Sequence, residues 1–400
     1  MRVKIEKLDH FGRGICFVDG KICFVEGTLP GEEVSIKINV DKKKYLLGSI
    51  KDFYSVSDDR VEEVCPYKDK CGGCDLSHLK YEKENDYKCL KLKEIMSKYA
   101  GVSNDLVLDC VFGDEYNYRN KVTLHGMRNL IGYYKKNSND IVPIKKCLLV
   151  DDKINQIINV INGMDYHNNY HEVIIKCSND SCEVMISITG EVNDYEKLFD
   201  YCDSLIINGE VIKGEETIIS FIGSRKYEIT DRGFFQVNKK VTKMLYDEIR
   251  NAISKIKPNR VLDLYCGAGT IGIYISDLVD EVIGVESFYK SVVSANKNKK
   301  LNNIKNIKFI NDKVENVIND IKDNIDLVIV DPPRSGVDKK AIDVLLDMEC
   351  KNIIYVSCDP VTLARDIKLL SEKYEVLSVK PFNMFSRTYH VESMCVLKIK

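Results

Sequence analysis

Apolar positions in the last third of the chain come in short runs separated by stretches of helical period. The runs cover residues 260–265, 281–286, 308–312, 326–331 and 353–356. Continuous apolar strands that alternate with helices are typical of a parallel sheet covered on both faces. Residues 375–380 and 391–399 follow with no helix between them, so this final pair must be antiparallel. The pattern predicts the α/β class, with a Rossmann-like doubly wound sheet.

The first 53 residues follow a different pattern, in which polar and apolar positions alternate between frequent turns. Two short apolar stretches flank Asp19-Gly20, a dipeptide that favours a hairpin turn. Gly27-Thr-Leu-Pro-Gly31 forms another turn before the alternation resumes. This spacing predicts a five-stranded β-barrel of the OB type, a fold that often binds oligonucleotides. A β-domain without a ligand is the alternative, because a fold does not fix a function.

The middle of the chain mixes both patterns. Strand-like runs at 130–134, 172–177 and 183–188 flank short helices and predict a mixed α+β domain. A charged amphipathic helix at about 78–100 can pack on the last domain, and its lysine-rich face is expected to be solvated. We therefore divide the chain into residues 1–53, 54–232 and 233–400.

Composition narrows the partners that this chain can have. Lys and Arg number 59 against 61 Asp and Glu, a formal net charge of −2, so RNA binding requires a local basic patch. Lys42 to Lys44 and the lysine-rich helix are candidates. With no apolar run of 18 residues and no signal-peptide pattern at the N-terminus, we expect a cytoplasmic protein without membrane attachment, and a monomer.

Three of the fifteen cysteines, Cys65, Cys71 and Cys74, are spaced closely enough to bind metal. A fourth ligand is missing nearby. Cys147 is one candidate, and Cys89 and Cys110 compete with it. A zinc ribbon normally supplies a second C-x2-C pair, whereas iron–sulfur sites frequently take a distant fourth cysteine. Spacing alone leaves zinc and a [4Fe–4S] cluster open.

A glycine loop after the first strand of the doubly wound sheet predicts a nucleotide-like ligand. Gly267-Ala-Gly269-Thr-Ile-Gly272 matches the dinucleotide fingerprint, and Glu286 follows at the distance of a ribose-binding acid, so NAD is a competitor. Asp263 would repel a pyrophosphate but attract the ammonium group of S-adenosylmethionine. Asp331-Pro-Pro-Arg334 ends the fourth strand at the same crevice. We therefore expect S-adenosylmethionine as the methyl donor.

Cys358 lies where a strand ends, and it is a candidate nucleophile, with a buried structural cysteine as the alternative. Because the last strand runs the other way, Glu392 at its start lies on the same edge, with His390 as a rival base. A thiolate that adds to carbon 6 of a pyrimidine makes carbon 5 nucleophilic, and a base must then remove the carbon 5 proton. This pair predicts methylation of uracil at carbon 5.

These motifs together resemble the RNA 5-methyluridine methyltransferases, nearly from end to end. The resemblance includes the barrel, which corresponds to a TRAM domain, and the motifs Tyr118-Arg-Asn-Lys121, Phe235-Gln-Val-Asn238 and Ser357-Cys-Asp-Pro360. It implies that Cys358 is the nucleophile and Glu392 the proton acceptor. The S-adenosylmethionine site would be lined by Gln236, Tyr265, Glu286 and Asp331. The ligands of a [4Fe–4S] cluster would be Cys65, Cys71, Cys74 and Cys147.

The resemblance favours 23S ribosomal RNA as the substrate, because the tRNA branch in bacteria usually lacks the barrel and the cluster. The alternatives are a tRNA uracil-5-methyltransferase and a non-catalytic RNA-binding assembly factor. Many relatives carry Asp-Met-Phe-Pro ahead of the final motif, whereas this chain has Asn383-Met-Phe-Ser386. Loss of the proline is expected to leave this loop freer.

Overall fold

Four sheets organise the part of the chain that the computed structural model describes, residues 1–127, 130–164, 169–321 and 324–400. They contain six, seven, two and eight strands in chain order. Within the described ranges, no helix is both long and apolar enough to cross a membrane.

The N-terminal sheet is a closed barrel. Its strands are β1 (Arg2–Lys4), β2 (Lys7–Leu8), β3 (Gly14–Val18), β4 (Lys21–Val25), β5 (Glu33–Asp41) and β6 (Leu46–Ser55), in the order β1-β5-β6-β4-β3-β2. Between β1 and β2, Ile5 N donates to Glu32 O (2.9 Å) and Glu6 N to Ile15 O (2.8 Å). One N-terminal segment thus joins both ends of the sheet. If β1, residues 5–6 and β2 are counted as one continuous strand, the closed barrel has five strands.

The middle of the chain contributes to two sheets. Its elements are α1 (Tyr81–Ile95), β7 (Val111–Phe112), β8 (Lys121–Met127), β9 (Leu130–Tyr134), β10 (Ile141–Pro143), α2 (Asp152–Asn162), β11 (Asn169–Cys177), β12 (Val184–Glu191), β13 (Ser204–Ile207) and β14 (Glu210–Lys213). Strands β8 to β14 form a mixed sheet in the order β10-β9-β8-β11-β12-β13-β14, and α2 packs its isoleucines on it. In contrast, β7 joins the last sheet.

The C-terminal part forms a hairpin and an eight-stranded sheet flanked by helices. Its elements are β15 (Thr217–Ile222), β16 (Arg225–Thr230), α3 (Lys239–Ile256), β17 (Arg260–Leu264), α4 (Thr270–Ile275), β18 (Glu281–Glu286), α5 (Tyr289–Leu301), β19 (Ile307–Asn311), α6 (Val314–Ile321), β20 (Leu327–Val330), α7 (Lys339–Met348), β21 (Asn352–Ser357), α8 (Pro360–Leu370), β22 (Tyr374–Asn383) and β23 (Glu392–Ile399). The sheet order is β19-β18-β17-β20-β21-β23-β22-β7. Neighbours from β19 to β21 are parallel, and β23 is antiparallel to β21 and β22, so the predicted doubly wound sheet with an antiparallel final pair is confirmed.

Helix α1 packs against this last sheet. Leu92 and Ile95 belong to the same apolar core as Leu363 of α8. The expectation of a solvated lysine-rich face is wrong for two of its lysines, since Lys88 is 0% and Lys91 is 7% exposed. Lys88 is buried because three oxygen acceptors surround its ammonium group, as described below.

Candidate active site at the carboxyl edge of the last sheet

Cys358 occupies a fixed turn between β21 and α8. The side chain of Asp359 caps the helix, with Oδ1 accepting hydrogen bonds from Val361 N and Thr362 N, both at 2.9 Å. Pro360 begins the helix, where its missing N–H costs nothing. The cap therefore holds Cys358 just outside the strand, where its thiol is partly exposed instead of sealed in the core.

Glu392 begins β23 directly beside the cysteine turn. The next residue, Ser393, is paired with Ser357 in the sheet, and the Glu392 side chain is 3% exposed. Burial and the neighbouring Asp331 raise the pKa of Glu392 to about 8, while Arg334 opposes them. Burial and then Glu392 raise the pKa of Cys358 to about 11. Glu392 is thus close enough to Cys358 to influence the protonation of its thiol.

His390, the rival base, differs from Glu392 in charge and surroundings. Burial, followed by the Arg334 charge, lowers the pKa of His390 to about 4, so its ring is neutral at physiological pH. The ring is 4.2 Å from the Tyr389 ring centroid and packs edge-on against Phe385. These ring contacts favour a packing role for His390.

Arg334 is the functional candidate whose role could not be predicted from the sequence. It is exposed at the end of β20, and its charge lowers the pKa of both the Cys358 thiol and the Glu392 carboxyl. A cation near a thiol favours the reactive thiolate. The Asp331-Pro-Pro-Arg334 turn was the available signal, since it ends a strand at the edge that carries Cys358.

Three carboxyl groups lie together at the carboxyl ends of β17, β18 and β20, the edge where doubly wound sheets form a ligand crevice. Asp263 is fully buried; its Oδ2 accepts from Gly272 N at 3.0 Å, and its Oδ1 has no partner among the described residues. Burial and the Asp331 charge raise the pKa of Asp263 to about 7, and burial raises the pKa of Asp331 to about 7. Glu286 Oε2 accepts from Gly267 N at 3.1 Å. An acidic crevice with an unpaired buried oxygen fits a cationic ligand and disfavours a pyrophosphate.

Tyr265 lies two residues after Asp263, and Gln236 lies three residues before α3. Tyr265 follows β17 with φ of 61°, a conformation that is costly for an aromatic residue and that concentrates at functional sites. Gln236 is buried two residues before Asn238, whose side chain caps α3. The structure gives the Gln236 side chain no hydrogen bond to the crevice carboxyls in the described ranges.

Four cysteines line one cavity of about 440 Å³ in the middle of the chain, namely Cys65, Cys71, Cys74 and Cys147. Burial, and then the nearby Cys147, raise the pKa of Cys71 and Cys74. The competitors Cys89 and Cys110 do not line this cavity. No three metal-binding side chains of the described residues converge closely enough for one metal ion. A cluster places its iron and sulfide atoms between the thiols, and its ligands therefore lie farther apart than those of one zinc ion.

A buried polar network fixes the loop that leads from β22 to Glu392. Lys88 Nζ donates to Glu84 Oε1 (2.9 Å), Asn383 Oδ1 (2.7 Å) and Phe385 O (3.0 Å). Asn383 Nδ2 donates to Glu84 Oε1 at 3.0 Å, and Arg387 N donates to the same oxygen at 2.9 Å. These contacts hold the segment Asn383-Met-Phe-Ser386, in which Ser386 stands at the position of the expected proline.

Two family descriptions match the sequence: "TRAM domain" over residues 1–51 and "tRNA (Uracil-5-)-methyltransferase" over residues 216–400. An uncharacterized RNA methyltransferase of Caldanaerobacter subterraneus subsp. tengcongensis is 34% identical over 99% of this chain and 97% of its own length. Another, from Clostridium tetani, is 32% identical over 96% and 93%. The solved Pyrococcus abyssi tRNA (uracil-54, C5)-methyltransferase in complex with S-adenosyl-L-homocysteine has a TM-score of 0.83 and 25% identity, covering 99% of this chain and all of that one.

Proposed function

Since this chain belongs to the S-adenosylmethionine-dependent RNA (uracil-5-)-methyltransferase family, we propose that it methylates carbon 5 of a uridine through a covalent adduct on Cys358. The observation that carries this proposal is the pairing of a partly exposed thiol with a buried carboxyl on neighbouring strands. Methylation of an amine or a hydroxyl needs no such thiol, whereas an unactivated pyrimidine carbon does.

Each residue has one task in this reaction. The Cys358 thiolate, favoured by Arg334, forms a bond to carbon 6 of the uracil and shifts the electron pair to carbon 5. S-adenosylmethionine supplies the methyl group that carbon 5 takes up. Glu392 as a carboxylate then accepts the carbon 5 proton, and the bond between carbon 6 and sulfur breaks to release Cys358. The Arg334 charge lowers the pKa of the Glu392 carboxyl and so favours the ionised state that this step needs.

The acidic crevice supports a methyl-donor site around Asp331, Glu286 and Tyr265, with Gln236 on the adjoining segment. The unpaired Asp263 Oδ1 suits the ammonium group of the methionine part. Glu286 lies at the end of β18, where ligand-binding acids of doubly wound sheets reach ribose hydroxyls. Isothermal titration with S-adenosylhomocysteine and with NAD tests this assignment, and binding of NAD alone would overturn it.

The four-cysteine cavity supports a [4Fe–4S] cluster held by Cys65, Cys71, Cys74 and Cys147. Thiolates are the usual ligands of such clusters, and the cavity leaves room for atoms between the sulfurs. Iron and sulfide analysis of anaerobically purified protein tests the assignment. Cys147→Ser is expected to lose the cluster and Cys110→Ser to keep it, whereas zinc without iron in the wild type would refute it.

For the substrate, we favour 23S ribosomal RNA, since the barrel matches a TRAM domain and the cysteine cavity accompanies it. A tRNA substrate is the second candidate, because the solved enzyme with 25% identity and full coverage acts on tRNA. Mass mapping of both RNA classes from a strain without the gene separates the two. Loss of 5-methyluridine from tRNA alone would reject the ribosomal assignment.

Trapping with 5-fluorouridine tests the chemistry directly. Fluorine replaces the carbon 5 proton and cannot be removed by a base, so the covalent adduct cannot break down. Protein, S-adenosylmethionine and fluorinated RNA are expected to give a covalent complex that persists in denaturing gels. Cys358→Ala should abolish it, while Cys182→Ala, which removes an exposed thiol between β11 and β12, should not. Absence of the complex with active wild-type protein would refute the mechanism. Full cellular function of Cys358→Ala would favour a non-catalytic assembly factor.

A further inference from the structure

The barrel touches the catalytic edge through one exposed phenyl ring. Phe11, in the loop between β2 and β3, is 47% exposed, and its ring lies 5.4 Å edge-on from that of Tyr389. Tyr389 stands three residues before Glu392, the first residue of β23. A ring that is held at the edge of the site and half in water is available to a ligand.

The loop that carries Phe11 is rigid. Asp9 Oδ1 accepts from Phe11 N at 2.9 Å and from Arg13 N at 2.8 Å, and Asp9 Oδ2 accepts from Arg13 Nε at 2.8 Å. Tyr87 of α1 donates its hydroxyl to Asp9 O at 2.7 Å. The exposed ring is therefore pre-organised, so a ligand that stacks on it need not order the loop.

From Phe11, rings with one cation between them cross the barrel surface. The Arg13 guanidinium lies 5.1 Å from the Phe11 centroid and 4.4 Å from that of Phe24. Phe24 packs edge-on against Tyr45 at 6.0 Å. Tyr45 directly follows the exposed lysines 42–44.

A cation, Arg334, also lies near the other end of this row, although the chain as a whole carries −2. Lys91 Nζ lies 5.1 Å from the Tyr389 centroid and donates to Tyr389 O at 2.7 Å. The Arg334 charge lowers the pKa of both the Tyr389 hydroxyl and the Cys358 thiol. Cations thus accompany the rings from the nucleophile to the barrel.

Aromatic rings accompanied by cations are the combination by which proteins hold unpaired nucleic acid, because every base has a stacking face and every nucleotide a phosphate. We propose that Tyr389, Phe11, Arg13, Phe24 and Tyr45 form a stacking track for the unpaired nucleotides on one side of the target uridine. The track runs from Cys358 to the lysines at 42–44, and its starting point rests on the proposed function.

Fluorescence anisotropy with the full-length protein tests the track. The probes are a fluorescein-labelled oligouridylate dodecamer and an abasic ribose-phosphate chain of the same length. Phe11→Ala and Phe24→Ala should each weaken dodecamer binding about tenfold, since one stacked base contributes that much. The abasic chain should bind all three proteins alike. Phe11→Tyr, which keeps a ring, should restore the affinity.

Tyr54→Ala is the matched control. Tyr54 is a 57% exposed ring of the same barrel with Arg2 at 4.4 Å from its centroid, and no ring contact joins it to the track within the described residues. Its truncation should leave binding unchanged. Equal losses for Tyr54→Ala and Phe11→Ala, or equal losses on the abasic chain, would overturn the track. An altered elution volume of free Phe11→Ala would instead assign the ring to an interface between copies and overturn it too.

Methyl transfer to ribosomal RNA and tRNA from a strain without the gene is measured in parallel. Ring-dependent dodecamer binding by a wild type that transfers no methyl group would refute the proposed function and keep the track as a binding surface. Methyl transfer with binding that ignores Phe11 and Phe24 would refute the track and keep the function.

Discussion

Replacing Lys88 by methionine tests whether the buried network holds the Glu392 loop. The substitution keeps the length of the side chain but leaves the Glu84 carboxylate, which is 0% exposed, without the partner at 2.9 Å. Removing one member of a buried ion pair costs about 3–5 kcal/mol. Arg387 Nη1, 3.7 Å from Glu84 Oε2, offsets part of the loss. We therefore expect about 3 kcal/mol of local destabilisation.

Hydrogen exchange of the α1 amides is the suitable assay, because a chain with several sheets has no single unfolding free energy. Lys88→Met should increase the exchange rates in α1 and in the 383–391 loop by roughly a hundredfold, the equivalent of 3 kcal/mol. Turnover should fall as well, because this loop leads into Glu392. The double variant Lys88→Met with Glu84→Gln should recover most of the protection, since the neutral amide needs no counter-charge.

Lys83→Met provides the control on the same helix. Lys83 pairs with Asp86 at the surface, with side chains 44% and 70% exposed, and its loss should not change exchange. Wild-type protection in Lys88→Met, or a double variant no better than the single one, would refute the reasoning.

Three further predictions concern the chemistry. Glu392→Gln should accumulate a covalent complex with ordinary uridine RNA on denaturing gels, because the carbon 5 proton has no acceptor. Methylation at the wild-type rate without this complex would contradict the prediction. Burial and then Asp331 raise the pKa of Glu392 to about 8, and the carboxylate is the active form. The Cys358 thiolate is needed as well, and its pKa is about 11, so single-turnover rates should increase steeply with pH below 8 and about tenfold per pH unit from pH 8 to 11. A slope that does not change near pH 8 would reject Glu392 as the base. Asp263→Asn should weaken S-adenosylhomocysteine binding roughly tenfold or more in calorimetry, since a charge-assisted contact is lost, and unchanged affinity would remove Asp263 from the site.

Local patterns were sufficient to predict the catalytic sheet from the sequence. Each apolar run between 260 and 357 became a parallel strand. Four of the five are buried along most of their length, which requires apolar residues on both faces, and only β19 at the sheet edge is partly exposed. The left-handed φ values of Asp19 (51°) and Gly20 (77°) likewise follow from a hairpin dipeptide.

Contacts between distant residues could not be predicted in this way. The buried partners of Lys88 lie 295 and 297 positions away, and the ring that meets Phe11 is Tyr389. Nothing in the charged run around Lys88 distinguishes a buried lysine from a solvated one. The Glu84 and Lys88 spacing of four was the available signal, although surface pairs share it.

Strand β23 lies between β21 and β22 although it follows both in sequence. As the chain emerges during synthesis, β21 presents an open edge, and β22 with β7 has no connection to the rest of the sheet. Both edges are joined only when β23 inserts between them, and the same event brings Glu392 beside Cys358. The nucleophile therefore gains its acid–base partner at the moment that the sheet closes, so a chain that has not finished folding holds the thiol without the means to complete a turnover.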